Sequence, residues 1–174
     1  MRLAQLPEAE AARLRALDVT HPVSDGVPAG FRAFSRSAVI GGGRAAFDAA
    51  VEAALGWQIQ LRSGIAVAAC GPTVELGSVA RLRVPVGPLR LTAYCRVVDV
   101  IDQPDRGGFA YSTLPRHPES GRESFVVTID GDDTVRLEIA AFSRPAVWYA
   151  RLGGPLTRIA QDHMTGRYLR ALHD

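Results

Sequence analysis

The chain has 174 residues, of which 47% are hydrophobic and 22% charged, and its net charge is +2. A chain of this length buries roughly 70% of the surface its unfolded state exposes, enough for one domain with its own core, and the composition excludes disorder over most of its length. The small net charge gives no case for a nucleic-acid partner, and the absence of lysine and asparagine excludes Schiff-base chemistry, a P-loop lysine and N-glycosylation.

Pro7 to Leu17 predicts a short helix, with Pro near N1, Glu8 and Glu10 in the first turn and Arg13 and Arg15 late. Asp18 to Gly30 reads as an irregular connector, so residues 1–30 form an N-terminal helix and connector and 31–174 a single α+β domain. Phe31 to Ile40 predicts a strand, stopped by Gly41-Gly42-Gly43. Phe47, Val51, Leu55 and Ile59 recur at helical spacing, with Gly56 leaving either one helix or two over 44–61. After Gly64 the period switches to two. Ile65–Ala69, Val74–Val86, Leu89–Asp102, Phe109–Leu114, Arg122–Ile129 and Val135–Phe142 are the expected strands. The last element is a helix over 155–172 with a stripe of Leu156, Ile159, Ala160, Met164, Tyr168 and Leu172.

The fold expected is therefore α+β, a seven-stranded curved antiparallel sheet wrapped on a long C-terminal helix, with an extra short N-terminal helix. Cys70 and Cys95 lack a C-x-x-C spacing and sit in apolar, strand-like sequence, as reduced buried thiols do. The first residues lack the apolar run of a secretory signal, and no stretch approaches the ~20 apolar residues of a membrane span. A cytoplasmic protein with no integral membrane association is expected, and its oligomeric state is left open.

Strand parity carries the sheet further, because facing residues of an antiparallel hairpin keep a constant index sum. With 115–121 as a loop, Phe109 faces Val127, Tyr111 faces Phe125 and Thr113 faces Glu123. Continuing through the Asp130–Thr134 turn, Val135 faces Ile129, Leu137 faces Val127, Ile139 faces Phe125 and Ala141 faces Glu123. These residues share the apolar face, which places one carboxylate, Glu123, on the buried side near the loop end.

The order β-α-α-β6-α is that of the helix-grip, START-like fold of lipid-transfer domains and birch-pollen-type allergens, in which a cavity separates sheet and last helix. Three stretches also resemble a known family: Arg106-Gly107-Gly108-Phe109 through Leu114-Pro115-Arg116-His117-Pro118 to Glu123, then Ala141-Phe142-Ser143-Arg144-Pro145 to Trp148, then Leu152-Gly153-Gly154-Pro155 with Arg167-Tyr168-Leu169. In this order, over about Phe31 to Leu172, they resemble the bacterial and plant domain of unknown function numbered 1990. The family has no established activity, so the resemblance implies no mechanism.

The function expected is binding of a small apolar or amphipathic molecule between sheet and C-terminal helix. Phe109, Tyr111, Thr113, His117, Glu119, Glu123, Phe125 and Arg144 are the candidate binding residues. Pro115 and Pro118 stiffen the loop that presents His117 and Glu119. Arg144 closes the last strand and either caps the pocket or pairs with Glu119 or Glu123. A carboxylate on an apolar face must find a partner or rise in pKa, so Glu123 is either a structural ion pair or a functional group. The rival is an enzyme of the same shape, a cyclase, hydrolase or isomerase using Glu123 or His117 as general acid/base. A third reading is an interaction module using Arg81, Arg83, Arg90 and Arg96, which alternate on the outer face as a stripe that is most simply solvated. The four histidines lack metal-site spacing, and nothing calls for a cofactor or metal.

Overall fold

The period-two alternation after Gly64 folds into one sheet whose strands pair antiparallel in succession from β3 to β8. The structure, a computed structural model, describes residues 1–21, 26–87, 89–145 and 164–172. In chain order the strands are β1 (Ala4–Gln5), β2 (Arg32–Gly42), β3 (Ala66–Ala69), β4 (Val79–Val86), β5 (Leu89–Gln103), β6 (Arg106–Thr113), β7 (Glu119–Ile129) and β8 (Thr134–Pro145). The helices are α1 (Glu8–Arg15), α2 (Arg44–Leu55) and α3 (Gln58–Arg62), and residues 164–170 are also helical.

The spatial order is β1-β3-β4-β5-β6-β7-β8-β2. The seven expected strands have their counterparts in β2 to β8, and β1 makes an eighth. It pairs parallel to β3 through only Ala4 and Gln5, too few residues for a period to register. Other differences lie at strand ends. β4 begins at Val79, because Gly77 turns the chain with a φ of 82° and its N–H bonds to the Val97 carbonyl at 3.0 Å. β2 runs on through Gly41 and Gly42 across an irregularity after Val39. Of the expected C-terminal helix, residues 155–163, with Leu156, Ile159 and Ala160, lie outside the described residues. So do Trp148, His163 and His173.

The inner face of the sheet packs on α2, α3 and the C-terminal helical segment. Phe47, Ala50 and Ala54 of α2 meet Phe109, Phe125, Val127 and Leu137. The close approach of α2 needs Gly107, where a β-carbon would lie 2.7 Å from the Val51 side chain. Gly56 ends α2 and Trp57 turns the chain through a φ of 60° before α3, so two helices stand where one or two were open. That left-handed turn, uncommon for a large side chain, lays the buried indole edge-on to Phe109 at 5.2 Å. Phe109 stacks on Phe125 at 5.5 Å, and Tyr168 meets Phe125 edge-on at 5.1 Å. Aromatic contacts of this kind add about 0.5–1.5 kcal/mol each beyond area burial.

The outer face carries a smaller core beneath α1, built from Leu6, Ala11, Leu14, Ala68, Val79 and Leu114. This changes the expected solvated arginine stripe. Arg83 and Arg90 are exposed, but Arg81 donates to Glu10 at 2.8 Å. Arg96 donates to the carbonyls of Leu14 (2.9 Å), Arg15 (2.7 Å) and Leu17 at the C-terminal end of α1. There its charge complements the helix dipole and satisfies carbonyls with no partner inside the helix.

Candidate functional site

β6 and β7 pair with Tyr111 opposite Glu123 and Phe109 opposite Phe125, not with Tyr111 opposite Phe125 and Thr113 opposite Glu123. The register is displaced by two residues. The cause is the loop: Glu119 and Ser120, polar enough to read as loop, are already β7 residues paired with Pro145 and Arg144. A displacement of two preserves parity, so Glu123 still stands on the inner face with Tyr111 and Phe125. β7 and β8 pair as expected, Glu123 opposite Ala141 and Phe125 opposite Ile139.

Tyr111 Oη donates a short hydrogen bond to Glu123 Oε2. Glu123 is half-buried, and desolvation pushes its carboxyl up to about 7 against the opposing pull of the Tyr111 hydrogen bond. Burial first, and the neighbouring Glu123 charge second, hold the Tyr111 and Tyr168 phenols well above the ordinary tyrosine range. Both phenols are therefore donors at physiological pH.

His117 reaches the same site from the loop between β6 and β7. Its Nδ1 accepts the Glu119 backbone N–H at 3.0 Å, which leaves the proton of the neutral ring on Nε2. Burial lowers its pKa to about 4, so the ring stays neutral. Thr113 Oγ1 accepts the Gly121 N–H at 3.0 Å. Gly121 is required there, because a β-carbon would lie 2.8 Å from the Ser143 α-carbon and overlap the Phe142 carbonyl.

These groups line a pocket of about 110 Å³ at the end of the inner face. Phe34 and Phe142 wall one side, and Met164, Thr165 and Tyr168 face the sheet from the C-terminal helical segment. The volume is below the about 150 Å³ of an engineered apolar cavity that takes benzene, so it suits a group no larger than one small ring. Of the candidates, Tyr111, Thr113, His117, Glu119 and Glu123 meet at this pocket. Phe109 and Phe125 lie fully buried in the core beneath it. Arg144 is exposed, its guanidinium 4.8 Å over the Phe31 ring, and stands outside the lining. Among the described residues no group of three or more His, Cys, Asp and Glu side chains is placed to hold a metal ion.

The connector supplies residues that sequence patterning missed. Thr20 N–H donates to the Thr113 carbonyl at 3.0 Å, and the two threonine hydroxyls lie 2.5 Å apart. His21 N–H donates to Ser112 Oγ at 3.1 Å, its Nε2 lies 3.2 Å from Ser120 Oγ, and its ring packs on Phe31 and Phe142. Desolvation, with the nearby Arg144 charge second, holds His21 below the ordinary imidazole range. No local pattern signals contacts between residues so far apart in sequence.

A family model described as "Domain of unknown function (DUF1990)" matches residues 15–171. A UPF0548 protein of Deinococcus radiodurans is 39% identical over 77 residues, 44% of this chain and 39% of its own length. A UPF0548 protein of Arabidopsis thaliana is 37% identical over 60 residues, 34% of this chain and 29% of its own length. Each match thus spans well under half of the curated relative's length. Among solved structures, the Zhui aromatase/cyclase of a Streptomyces species superposes with a TM-score of 0.58 at 17% identity, over 82% of this chain and 91% of that one. Major latex-like protein 151 of Panax ginseng superposes with a TM-score of 0.56 at 14% identity, over 83% and 98%. Identities this low speak to fold alone, a helix-grip arrangement of a large, mostly antiparallel sheet and few helices.

Proposed function

The chain belongs to this family of unknown function, and from the pocket itself we propose that it binds a small amphipathic molecule between sheet and C-terminal segment. The observation that carries the reading is the hydrogen-bonded Tyr111–Glu123 pair at the pocket end of an otherwise apolar inner face. A carboxyl raised to about 7, two phenols and a neutral imidazole offer donors and acceptors to a ligand's polar end. Phe34, Phe142 and Met164 offer apolar surface to the rest. The solved aromatase/cyclase with this fold supports a pocket that takes a ring. The free thiols of Cys70 and Cys95 support a cytoplasmic setting. Among the described residues no helix is long and apolar enough to cross a membrane.

The test is ligand-observed NMR with a panel of small phenols, aromatic acids and short-chain ketones, comparing wild type with Ala141→Leu. Ala141 stands opposite Glu123 on the pocket wall, so leucine there fills the space, and binding should vanish while the fold persists. Equal binding by the two proteins refutes the pocket as the site.

One observation favours a second reading, catalysis by Glu123. A carboxyl that titrates at about 7 can both give and take a proton at neutral pH. Turnover on any ligand found should then show an inflection near pH 7 that Glu123→Gln removes.

A further inference from the structure

Five exposed arginines stand at the pocket end of the sheet: Arg32, Arg83, Arg90, Arg116 and Arg144. Arg32 and Arg144 lie where β2 begins and β8 ends, and Arg116 lies in the loop after β6. None of the five joins an ion pair among the described residues. Glu119 and Glu123 in the pocket wall are acids at the same end. The opposite end, where β5 turns into β6 and β7 into β8, carries Asp102, Asp105, Asp130, Asp132 and Asp133, against Arg44, Arg106 and Arg136, which are engaged there by Pro104, Glu138 and Asp130. The charge is thus polarised along the strands.

One hairpin projects at the basic end. β6 stops pairing with β5 at Cys95, opposite Thr113, and β3 stops pairing with β4 at Arg83, opposite Ala66. Beyond those points β4 and β5 continue as a two-stranded ribbon to Val86 opposite Leu89. At the usual rise per residue the ribbon reaches roughly 20 Å past the end of β6 and roughly 10 Å past the end of β3. Its tip is apolar and open, with Leu89 66% exposed and Val86 39% exposed. Arg83 and Arg90 stand beside it on the opposite face of the ribbon from Val86 and Leu89, and no acidic residue occurs between Glu75 and Asp99.

We propose that this ribbon docks the protein on an anionic membrane surface, with Leu89 and Val86 entering the acyl boundary and Arg83 and Arg90 meeting lipid phosphates. The pairing of an apolar tip with cationic flanks supplies the two signals that reversible membrane attachment needs. A soluble anion would not call for the exposed leucine, and a nucleic-acid surface would want aromatic side chains among the arginines. The attachment is peripheral and independent of what fills the pocket.

The test is co-sedimentation with phosphatidylcholine vesicles, pure or containing roughly a third phosphatidylglycerol. Wild type should sediment with the anionic vesicles, not with the neutral ones, and added salt should release it. Leu89→Ser should cut the partition coefficient about ten-fold or more. Arg90→Ser should cut it about five-fold. Both side chains are exposed, so melting temperatures should match wild type and separate lost docking from lost folding. Wild-type binding that is absent, or equal on the two vesicles, overturns the proposal. So do variants that bind as wild type does, and so does a dimer that Leu89→Ser dissolves without any vesicle binding.

Discussion

Glu123→Gln should uncover a pH dependence of stability that the wild-type protein hides. Burial lifts Glu123 from its ordinary 4.5 to about 7. Between those values the folded state keeps a proton that the unfolded chain has lost, so this contribution is fully present below pH 4.5 and fades as pH rises to 7. His117 works in the opposite sense. Burial lowers it from 6.5 to about 4, so the unfolded chain holds a proton that the folded state lacks, and stability is lost as pH falls from 6.5 to 4. At about 1.4 kcal/mol per pKa unit, each displacement is worth at most about 3 kcal/mol, a ceiling because both residues are only half-buried. The two slopes cancel between about pH 4.5 and 6.5. With Gln at 123 the histidine acts alone, and stability should climb by up to about 3 kcal/mol from pH 4 to 6.5. With Gln at 117 the carboxyl acts alone, and stability should fall by a similar amount from pH 4.5 to 7. For a chain of this size that is about 6–12 °C in melting temperature. Urea unfolding followed by tryptophan fluorescence at half-unit pH steps reads both effects, and unrelated titrations drop out of the differences from wild type. Parallel profiles for all three proteins would refute the reasoning.

Tyr111→Phe removes the hydrogen bond that Tyr111 donates to the Glu123 carboxylate. It should raise the carboxyl's pKa above about 7, visible as a later midpoint in a ¹³C carboxyl titration, and cost about 1.5–3 kcal/mol above that pH. Gly121→Ala forces a β-carbon onto the Phe142–Ser143 backbone and should destabilise by more than about 2 kcal/mol in urea titration. Arg96→Ser takes the guanidinium donor from the Leu14 and Arg15 carbonyls at the end of α1 and leaves Leu14 with the Leu17 N–H. It should cost about 1–3 kcal/mol, with early loss of hydrogen-exchange protection in residues 8–15. Met164→Ala should cost only about 1 kcal/mol, because Met164 is half-buried and lines the pocket. A loss of several kcal/mol on chemical unfolding would place it in the core.

Strand parity was the most legible feature of the site. The β7–β8 pairing followed from a short turn in which the Asp130 N–H meets the Thr134 carbonyl and Asp133 takes a φ of 63°, leaving one register possible. The β6–β7 pairing slipped by two because Glu119-Ser120 looks like loop, and nothing local announces that Gly121 presses on the backbone of β8. Glu123 kept its face because period-two patterning tolerates even displacements. The cover by α1 over Arg81 and Arg96 and the arrival of Thr20 and His21 at the pocket were invisible for a different reason. Each depends on where a connector returns in space, which carries no periodic signal. Tyr168 had a faint one, a hydroxyl within an apolar helical stripe.

The pairing of β2 with β8 sets the order in which the molecule can be completed. Arg32 must find Ser143, and Gly42 must find Thr134, so the first long strand made is joined by the last. At the usual pace of synthesis the nascent chain carries β2 without its partner for on the order of 5–20 s. Among the described strands β2 is the outermost on that side, and Arg32, Ser35, Arg36 and Ser37 are exposed along it. Charge and hydroxyls in a strand of this kind discourage pairing with other chains. The polarity of β2 therefore protects the protein twice, on the ribosome while the strand waits and afterwards at the sheet's open border.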